Sequence, residues 1–346
     1  MREGLRCRFT AAFNADDCRI KDGAALSWQM FEFVGICVHA ASKLLTWSES
    51  VELLTRPIDR KADFERLFRL TEVEPDRFRA LAARTLMERL YGGQVIAQAL
   101  SAVQRTVKQN RFAHSCHAYF LRPGHPDQPI DYGVMRDSDG RSFSARRLTA
   151  LQGDRLILSL SASFQDEEPG LTHQFDAPSV VGPELLRSQS DILAEIGIRL
   201  PPRHHAFWLQ DTGFDFRAVE PFITFEPEPV PARRHFWFRL RHRIGGDRAE
   251  HQRLFAFASD LYLLHAGLLP LGISWADPSL QDASLDHSIW FHDSFRIDEW
   301  LLYVLDSPRA GHARTLACGM VFTRDGRLVI SVAQEGLIRL PSEPVG

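Results

Sequence analysis

The sequence is poor in the patterns that bind metals or form disulfides. Its five cysteines are widely spaced over 346 residues, no CxxC pair occurs, and the zinc motif HExxH is missing. An odd and scattered set of cysteines builds neither a disulfide framework nor a zinc site, so we expect a protein of a reducing compartment without bound metal. The cysteines are Cys7, Cys18, Cys37, Cys116 and Cys318.

The sequence also lacks an excess of positive charge. It has 41 lysine and arginine residues against 44 aspartate and glutamate residues, which gives a formal net charge of -3 at pH 7. Proteins that bind nucleic acid usually carry a basic surface, so no nucleic-acid partner is expected. The length allows either two domains of ordinary size or one large domain.

Long hydrophobic runs are missing as well. The longest apolar-leaning stretch, residues 33–41, is shorter than the roughly 20 residues that a helix needs to cross a bilayer, so no membrane span is expected. It also lies too far along the chain for an ordinary signal peptide. The C-terminal letters "PSEPVG" contain no targeting tripeptide. Together with the scattered cysteines, these features predict a cytoplasmic protein.

Three familiar catalytic and nucleotide-binding motifs do not occur. Neither GxGxxG nor GxxxxGK[ST] is present, so a phosphate-binding loop for nucleotides is not expected. The GxSxG elbow of serine hydrolases is approached only by "GISWA" at residues 272–276, which fails at its last position and precedes no predicted helix.

Two stretches of the chain repeat one order of elements. Each has a helix, then a strand beginning "HS", further strands, a Gly/Asp turn and a strand beginning "RL", which indicates a duplication. One long helix followed by an antiparallel meander is typical of an α+β unit whose sheet wraps around the helix. The predicted helices are 90–107 and 255–272, and the predicted strands are 114–121, 129–137, 142–152, 155–165, 234–243, 284–292, 300–308, 313–323 and 327–340.

The domain boundaries follow from this repeat and from the prolines. Residues 64–168 are predicted to form an N-terminal domain and residues 232–341 a C-terminal domain. Between them, residues 169–231 form a Pro-rich linker with some helical content. Residues 1–50 show no clear periodicity and are interpreted as a variable N-terminal extension.

The stretch "SLDHSIWFH", residues 284–292, combines serine, aspartate and histidine as a hydrolase triad does. Side chains alternate faces along a strand, so Ser284 and Asp286 are predicted on one face and His287 on the other. Asp286 and His287 therefore cannot act together as orienting acid and base. His287 is interpreted as a partly buried structural histidine.

Three other polar residues lie in strongly apolar surroundings: Asp260, Ser284 and Gln334. Buried polar groups need partners, so these three side chains can meet and hold one water molecule. The alternative is structural: Ser259 caps the second helix with Asp260 in its first turn, and Gln334 bonds to neighbouring backbone. The residue types alone leave both readings open.

Several long motifs resemble the acyl-CoA thioesterase II family, whose members have two hotdog domains. They cover about residues 64–340 in the family's order, and the resemblance implies an α+β fold of two tandem hotdog domains. It implies hydrolysis of fatty acyl-CoA to free fatty acid and CoA by an activated water, without metal or cofactor. The motifs are "YGGQVIAQAL", "HSCHAYFLRPG", "SFSARR", "LSASFQ", "ASDLYLL", "SLDHSIWFHDSFRIDEWLLY" and "AQEGLIR".

By the same resemblance the catalytic trio is Asp260, Ser284 and Gln334, with serine where threonine is common. Four further residues are candidates for substrate binding. Gly92 and Gly93 can bring backbone N–H groups close to a developing oxyanion, or can simply allow tight packing of the helix on the sheet. Arg146 and Arg147 can meet CoA phosphates, or can be ordinary solvated arginines.

Two expectations complete the sequence-based picture. The resemblance to the family, in which further pairing of the fused domains is common, implies a homo-oligomer. The alternative function is a hotdog protein that binds acyl-CoA or resembles a dehydratase and does not hydrolyse thioesters. A protein of that kind would not need Asp260, Ser284 and Gln334 together.

Overall fold

The computed structural model describes residues 68–80, 90–196, 212–221 and 225–340. The predicted extension, residues 1–50, lies outside this part of the chain. The helices are α1 (Gly92–Gln104), α2 (Gln189–Ile196) and α3 (Arg248–Ala258), with 3-10 turns at Pro183–Leu185, Leu263–Gly267 and Leu269–Leu271. The strands are β1 (Leu70–Glu74), β2 (Arg77–Ala80), β3 (Arg111–Phe120), β4 (Ile130–Asp139), β5 (Phe143–Gln152), β6 (Arg155–Asp166), β7 (Phe214–Ala218), β8 (Arg233–Leu240), β9 (Gln281–Ser284), β10 (Asp286–Phe291), β11 (Leu301–Gly311), β12 (Arg314–Thr323) and β13 (Leu328–Arg339).

The described strands form one antiparallel sheet whose two halves have the same order. The sheet runs β1-β2-β4-β5-β6-β3-β10-β13-β12-β11-β8-β7, and β9 pairs with β13 beside this path. From the central β3–β10 pair outward, the N-terminal half reads β3-β6-β5-β4-β2 and the C-terminal half β10-β13-β12-β11-β8. The predicted duplication and the α+β class are therefore confirmed, and β6 corresponds to β13.

Helix α1 is the buried centre of the N-terminal half. Every residue from Gly93 to Val103 is buried, and Ile96, Leu100 and Val103 have no exposed surface. Burying one such side chain completely contributes about 1.5–3 kcal/mol to folding. The helix contacts strands β3 to β6, so the sheet wraps around it as the sequence predicts.

The second long helix differs from its prediction. Helix α3 begins after Asp247, whose side chain accepts a hydrogen bond from the Ala249 N–H, and it ends at Ala258. Ser259 is therefore its C-terminal cap, and the prediction that Ser259 caps the N-terminus is wrong. Asp260 follows the helix instead of lying in its first turn. The apolar pattern continues across the break into the 3-10 turns, so periodicity does not reveal it.

One helical segment, Arg248–Leu271, has the length and apolar composition of a membrane span. In the fold, 78% of its most apolar window is buried inside the protein. The segment includes α3, which packs against α1, and it serves as the core of the C-terminal half.

The predicted Pro-rich linker, residues 169–231, also contributes to the sheet. It contains α2 and the edge strand β7, which pairs antiparallel with β8 over five registered positions. The C-terminal half therefore draws on residues that precede the predicted domain start at 232. Phe214 and Phe216 of β7 are buried in the main core, which ties this segment to the sheet.

Candidate active site

Asp260, Ser284 and Gln334 meet at one buried point where α3 ends, β9 ends and β13 passes. The Gln334 Nε2 donates to Asp260 Oδ1 and to Ser284 Oγ, each at 2.7 Å. The Ser284 hydroxyl lies 3.4 Å from Asp260 Oδ1. Gln334 has no exposed surface and the Asp260 side chain is 6% exposed. A carboxylate, a hydroxyl and an amide therefore converge as the sequence indicated.

The fourth contact comes from the N-terminal half. The Gly93 N–H, at the start of α1, donates to Asp260 Oδ2 at 2.9 Å. Tyr91, which precedes the helix, provides no side-chain cap, so Asp260 supplies the acceptor that α1 otherwise lacks. The positive end of the helix dipole also faces the carboxylate. Both halves of the fold thus build one site.

A β-bulge brings Ser284 into the site. Ser284 is registered with Gly336, whereas Ser288 is registered with Ala333, so the β9–β10 segment contains one residue more than β13 between these pairs. Glu335 therefore faces two residues: it accepts from the Leu285 N–H and donates its own N–H to the Asp286 carboxylate at 2.6 Å.

The extra residue reverses the alternation of side chains on either side of it. The prediction that Ser284 shares a face with Asp286 is therefore wrong, because simple alternation assumes an unbroken strand. Beyond the bulge the alternation holds, with His287, Ile289 and Phe291 buried. Ser284 consequently points inward, to the same side as His287.

The surroundings of Asp260 favour its neutral form. Burial raises the pKa of this carboxyl from 3.8 to about 6, against the lowering effect of the hydrogen bonds from Gln334, Gly93 and Ser284. A general base works best when its pKa lies near the working pH. Asp260 is thus ionised at neutral pH, but its pKa lies closer to 7 than that of an exposed aspartate, so it accepts a proton more readily.

Comparison with known proteins agrees with this geometry. Residues 82–165 match a family model described as the acyl-CoA thioesterase N-terminal domain, and residues 212–337 match one described as acyl-CoA thioesterase. The chain is 34% identical to "Acyl-CoA thioesterase 2" of Haemophilus influenzae over 273 residues, which cover 79% of this chain and 96% of that protein. The chain belongs to the acyl-CoA thioesterase II family.

Other relatives of this chain support the same family assignment. "Acyl-coenzyme A thioesterase 8" of Homo sapiens is 36% identical, over 78% of this chain and 87% of its own length. A crystal structure of an acyl-CoA thioesterase II from Mycobacterium marinum superposes with a TM-score of 0.66 at 35% identity, covering 80% of this chain and 98% of that one. Because the matches span both halves, the predicted tandem hotdog fold is confirmed.

The two glycines that open α1 in this thioesterase allow close approach. A Cβ at Gly92 would lie 2.7 Å from Asp260 Oδ2, and one at Gly93 would lie 2.4 Å from the Phe257 carbonyl oxygen. Both distances are shorter than a Cβ tolerates, so side chains are excluded here by the site and by the end of α3. The close approach supports the packing role, and the oxyanion role of the two glycines stays a prediction.

The two candidate arginines lie apart from the trio. Arg146 is buried and donates to Thr106, to Asp139 and to backbone carbonyls, so its guanidinium is used inside the N-terminal half. This placement disfavours a contact of Arg146 with CoA phosphates. Arg147 is 59% exposed and pairs with Asp137 at 2.8 Å, and its contact with CoA stays a prediction.

Sequence reasoning missed the contacts that Ser259 and Tyr91 make next to the trio. Ser259 Oγ lies 2.9 Å from His287 Nε2, and the His287 ring is fully buried, whereas the sequence indicated a partly buried histidine. Tyr91 donates to the Phe257 carbonyl at 2.7 Å and so fixes the end of α3 beside Asp260. These contacts join distant parts of the chain, and no local pattern signals them.

Proposed function

We propose that this chain hydrolyses fatty acyl-CoA to free fatty acid and CoA, with a water molecule as the direct nucleophile and Asp260 as the general base. The observation that carries the proposal is the convergence of Asp260, Ser284 and Gln334 at hydrogen-bonding distance in a buried site. The alternative is a non-hydrolytic acyl-CoA binder or a dehydratase-like protein. It is not favoured, because the relatives of this chain are named thioesterases and binding alone needs no buried base.

The reaction follows from the positions of these groups. Ser284 orients the water, and Gln334 holds Ser284 and Asp260 in place through its NH₂ group. Asp260 accepts one proton of the water as the water oxygen bonds to the thioester carbonyl carbon. The C–S bond then breaks, and the proton held by Asp260 passes to the departing thiolate of CoA. The Gly93 N–H is already bonded to Asp260, so the first N–H of α1, that of Gly92, is left to stabilise the oxyanion.

Two measurements test this function. Release of free thiol from a set of acyl-CoA substrates should fall by a factor of about 100 or more in Asp260→Ala, as expected for loss of a general base. Equal release by both proteins would exclude the assigned site. Intact-protein mass spectrometry during turnover should show no acyl adduct on Ser284, whereas an adduct there would replace direct water attack with a covalent route.

We also propose that the protein is a cytoplasmic homo-oligomer. Tyr119 and Met135 are more than half exposed and line a groove of about 290 Å³ on the outer face of the sheet, a surface that a second copy can cover. The two described cysteines, Cys116 and Cys318, are free thiols, as suits a reducing compartment. Light scattering coupled to size exclusion tests the first point, and cell fractionation tests the second.

A further inference from the structure

Two adjacent buried side chains each leave one polar atom unsatisfied. Among the residues that the structure describes, neither Gln334 Oε1 nor His287 Nδ1 has a hydrogen-bond partner that meets ordinary geometric limits. Both side chains have no exposed surface. An unsatisfied buried polar group costs on the order of 1–3 kcal/mol, so two neighbours left in this way call for an explanation.

The other polar atoms of both side chains are occupied. Gln334 Nε2 donates to Asp260 and Ser284 at 2.7 Å, and His287 Nε2 lies 2.9 Å from Ser259 Oγ. Asp260 Oδ1 is 3.9 Å from His287 Nδ1, too far for a hydrogen bond. The Gln334 side chain also acts on the His287 ring as a hydrogen-bond partner that raises its pKa, so each unsatisfied atom has the other as its candidate partner.

A hydrogen bond between His287 and Gln334 would fix the orientation of the Gln334 amide. An amide can turn by half a revolution and exchange its oxygen and nitrogen. If Gln334 turned, its oxygen would face the Asp260 carboxylate and its NH₂ would face His287. Two acceptors would then meet at the base, and the water-holding arrangement of Asp260 and Ser284 would be lost.

We propose that His287 is a positioning residue for the thioesterase reaction: its Nδ1–H donates to Gln334 Oε1 and holds the Gln334 NH₂ toward Asp260 and Ser284. The Ser259 hydroxyl lies 3.1 Å from the Ala256 carbonyl oxygen and 2.9 Å from His287 Nε2. In this scheme its single proton is directed to Nε2, which selects the Nδ1–H tautomer. His287 does not touch the substrate or the water in this scheme and acts only through Gln334.

The charge state of the histidine agrees with a neutral donor. Burial lowers the pKa of His287 to about 4, while the hydrogen bond to the Gln334 side chain acts in the raising direction. A raising effect is what an acceptor, the amide oxygen, exerts on a ring N–H. At neutral pH the ring therefore carries one proton, and its position decides whether Gln334 is held or free to turn.

Two substitutions separate the two ring nitrogens. His287→Asn places an amide nitrogen near the Nδ1 position and loses the contact with Ser259, whereas His287→Gln reaches the Nε2 position and loses the contact with Gln334. We expect H287N to keep kcat within about threefold of wild type. We expect H287Q to lose about tenfold in kcat at nearly unchanged KM, as for one hydrogen bond of about 1.4 kcal/mol.

A matched pair at another buried histidine controls for packing damage. His251 lies near the start of α3, where its Nδ1 accepts from the Ile297 N–H at 3.2 Å. H251N and H251Q should both lower the midpoint of urea unfolding, and the two variants should have the same kcat as each other. If H287N and H287Q lose the same factor in kcat, as a purely structural histidine predicts, the positioning role is wrong.

A direct spectroscopic reading does not depend on folding of the variants. In ¹⁵N-histidine-labelled protein, the His287 ring should show a protonated Nδ1 and an unprotonated Nε2 at pH 7, and the reverse pattern would overturn the proposal. The inference rests on the proposed roles of Asp260, Ser284 and Gln334. An active Asp260→Ala would refute that site itself, whereas an inactive one with equal H287N and H287Q would refute only the positioning role.

Discussion

Replacement of Asp260 by asparagine should make the protein more stable and nearly inactive at the same time. The pKa of Asp260 is raised from 3.8 to about 6, mainly by burial, so the folded state favours the neutral carboxyl. The stabilisation of the folded state by the neutral Asp260 carboxyl is complete below pH 3.8 and is lost as pH rises through 6. The difference between these two pKa values corresponds to about 3 kcal/mol at pH 8.

Asparagine keeps the shape of the carboxyl but cannot ionise. Its oxygen can accept from the Gly93 N–H, and its NH₂ group can donate to the Ser284 hydroxyl, while the contact with the Gln334 NH₂ is lost because His287 holds that amide. Asp260→Asn should therefore be more stable than wild type at pH 8 by as much as about 3 kcal/mol, with the gain shrinking toward pH 4. Thiol release should fall by a factor of about 100 to 10,000, the usual contribution of a general base.

The assay combines urea unfolding at pH 4, 6 and 8 with thiol release from one acyl-CoA at pH 8. Asp154→Asn, in the exposed turn between β5 and β6, is the matched control and should change neither quantity. The reasoning fails if Asp260→Asn is less stable than wild type at pH 8. It also fails if the stability difference does not depend on pH, or if thiol release persists.

Three further predictions follow from the same contacts. In wild type, kcat/KM should fall about tenfold per pH unit below pH 6 and level off above it, and a profile flat down to pH 4 would exclude Asp260 as the base. Ser284→Thr should retain most activity because the hydroxyl is kept, whereas Ser284→Ala should lose about tenfold or more in thiol release. Gly93→Ala should destabilise the fold by about 1–3 kcal/mol in urea unfolding, because its Cβ would lie 2.4 Å from the Phe257 carbonyl; unchanged stability would contradict the close packing of α1 on α3.

The meander strands were predictable because their signals are local. Alternating apolar residues with turns at Asp139-Gly140 and Asp325-Gly326 place most strand ends within a few residues of those observed. The end of α3 was not predictable from periodicity, because the residues after Ala258 remain apolar. What stops the helix is tertiary: the Ser259 hydroxyl bonds to His287, and the Ser259 carbonyl accepts from Tyr303.

Some features of the active site were likewise predictable from the sequence, and others were not. Asp260, Ser284 and Gln334 stood out as polar residues in apolar surroundings, and the family resemblance selected them. The bulge that turns Ser284 inward leaves no mark in composition, since it depends on two contacts of the Glu335 backbone across the sheet: its carbonyl accepts from the Leu285 N–H and its N–H donates to the Asp286 carboxylate. The Gly93 donor is equally hidden, because it lies 167 residues from Asp260 in the chain.

The duplication yields one such site among the described residues, because the two halves contribute unequal parts. Strand β6, which corresponds to β13, turns only apolar side chains inward at Leu158, Leu160, Ala162 and Phe164, so the N-terminal half has no counterpart of Gln334 on this strand. That half instead supplies the start of α1, whose Gly93 N–H holds the Asp260 carboxylate. A separated C-terminal half would keep the trio but lose this donor and the cover of α1. The site therefore requires both hotdog domains, because its base and its helix N-terminus come from different copies of the repeat.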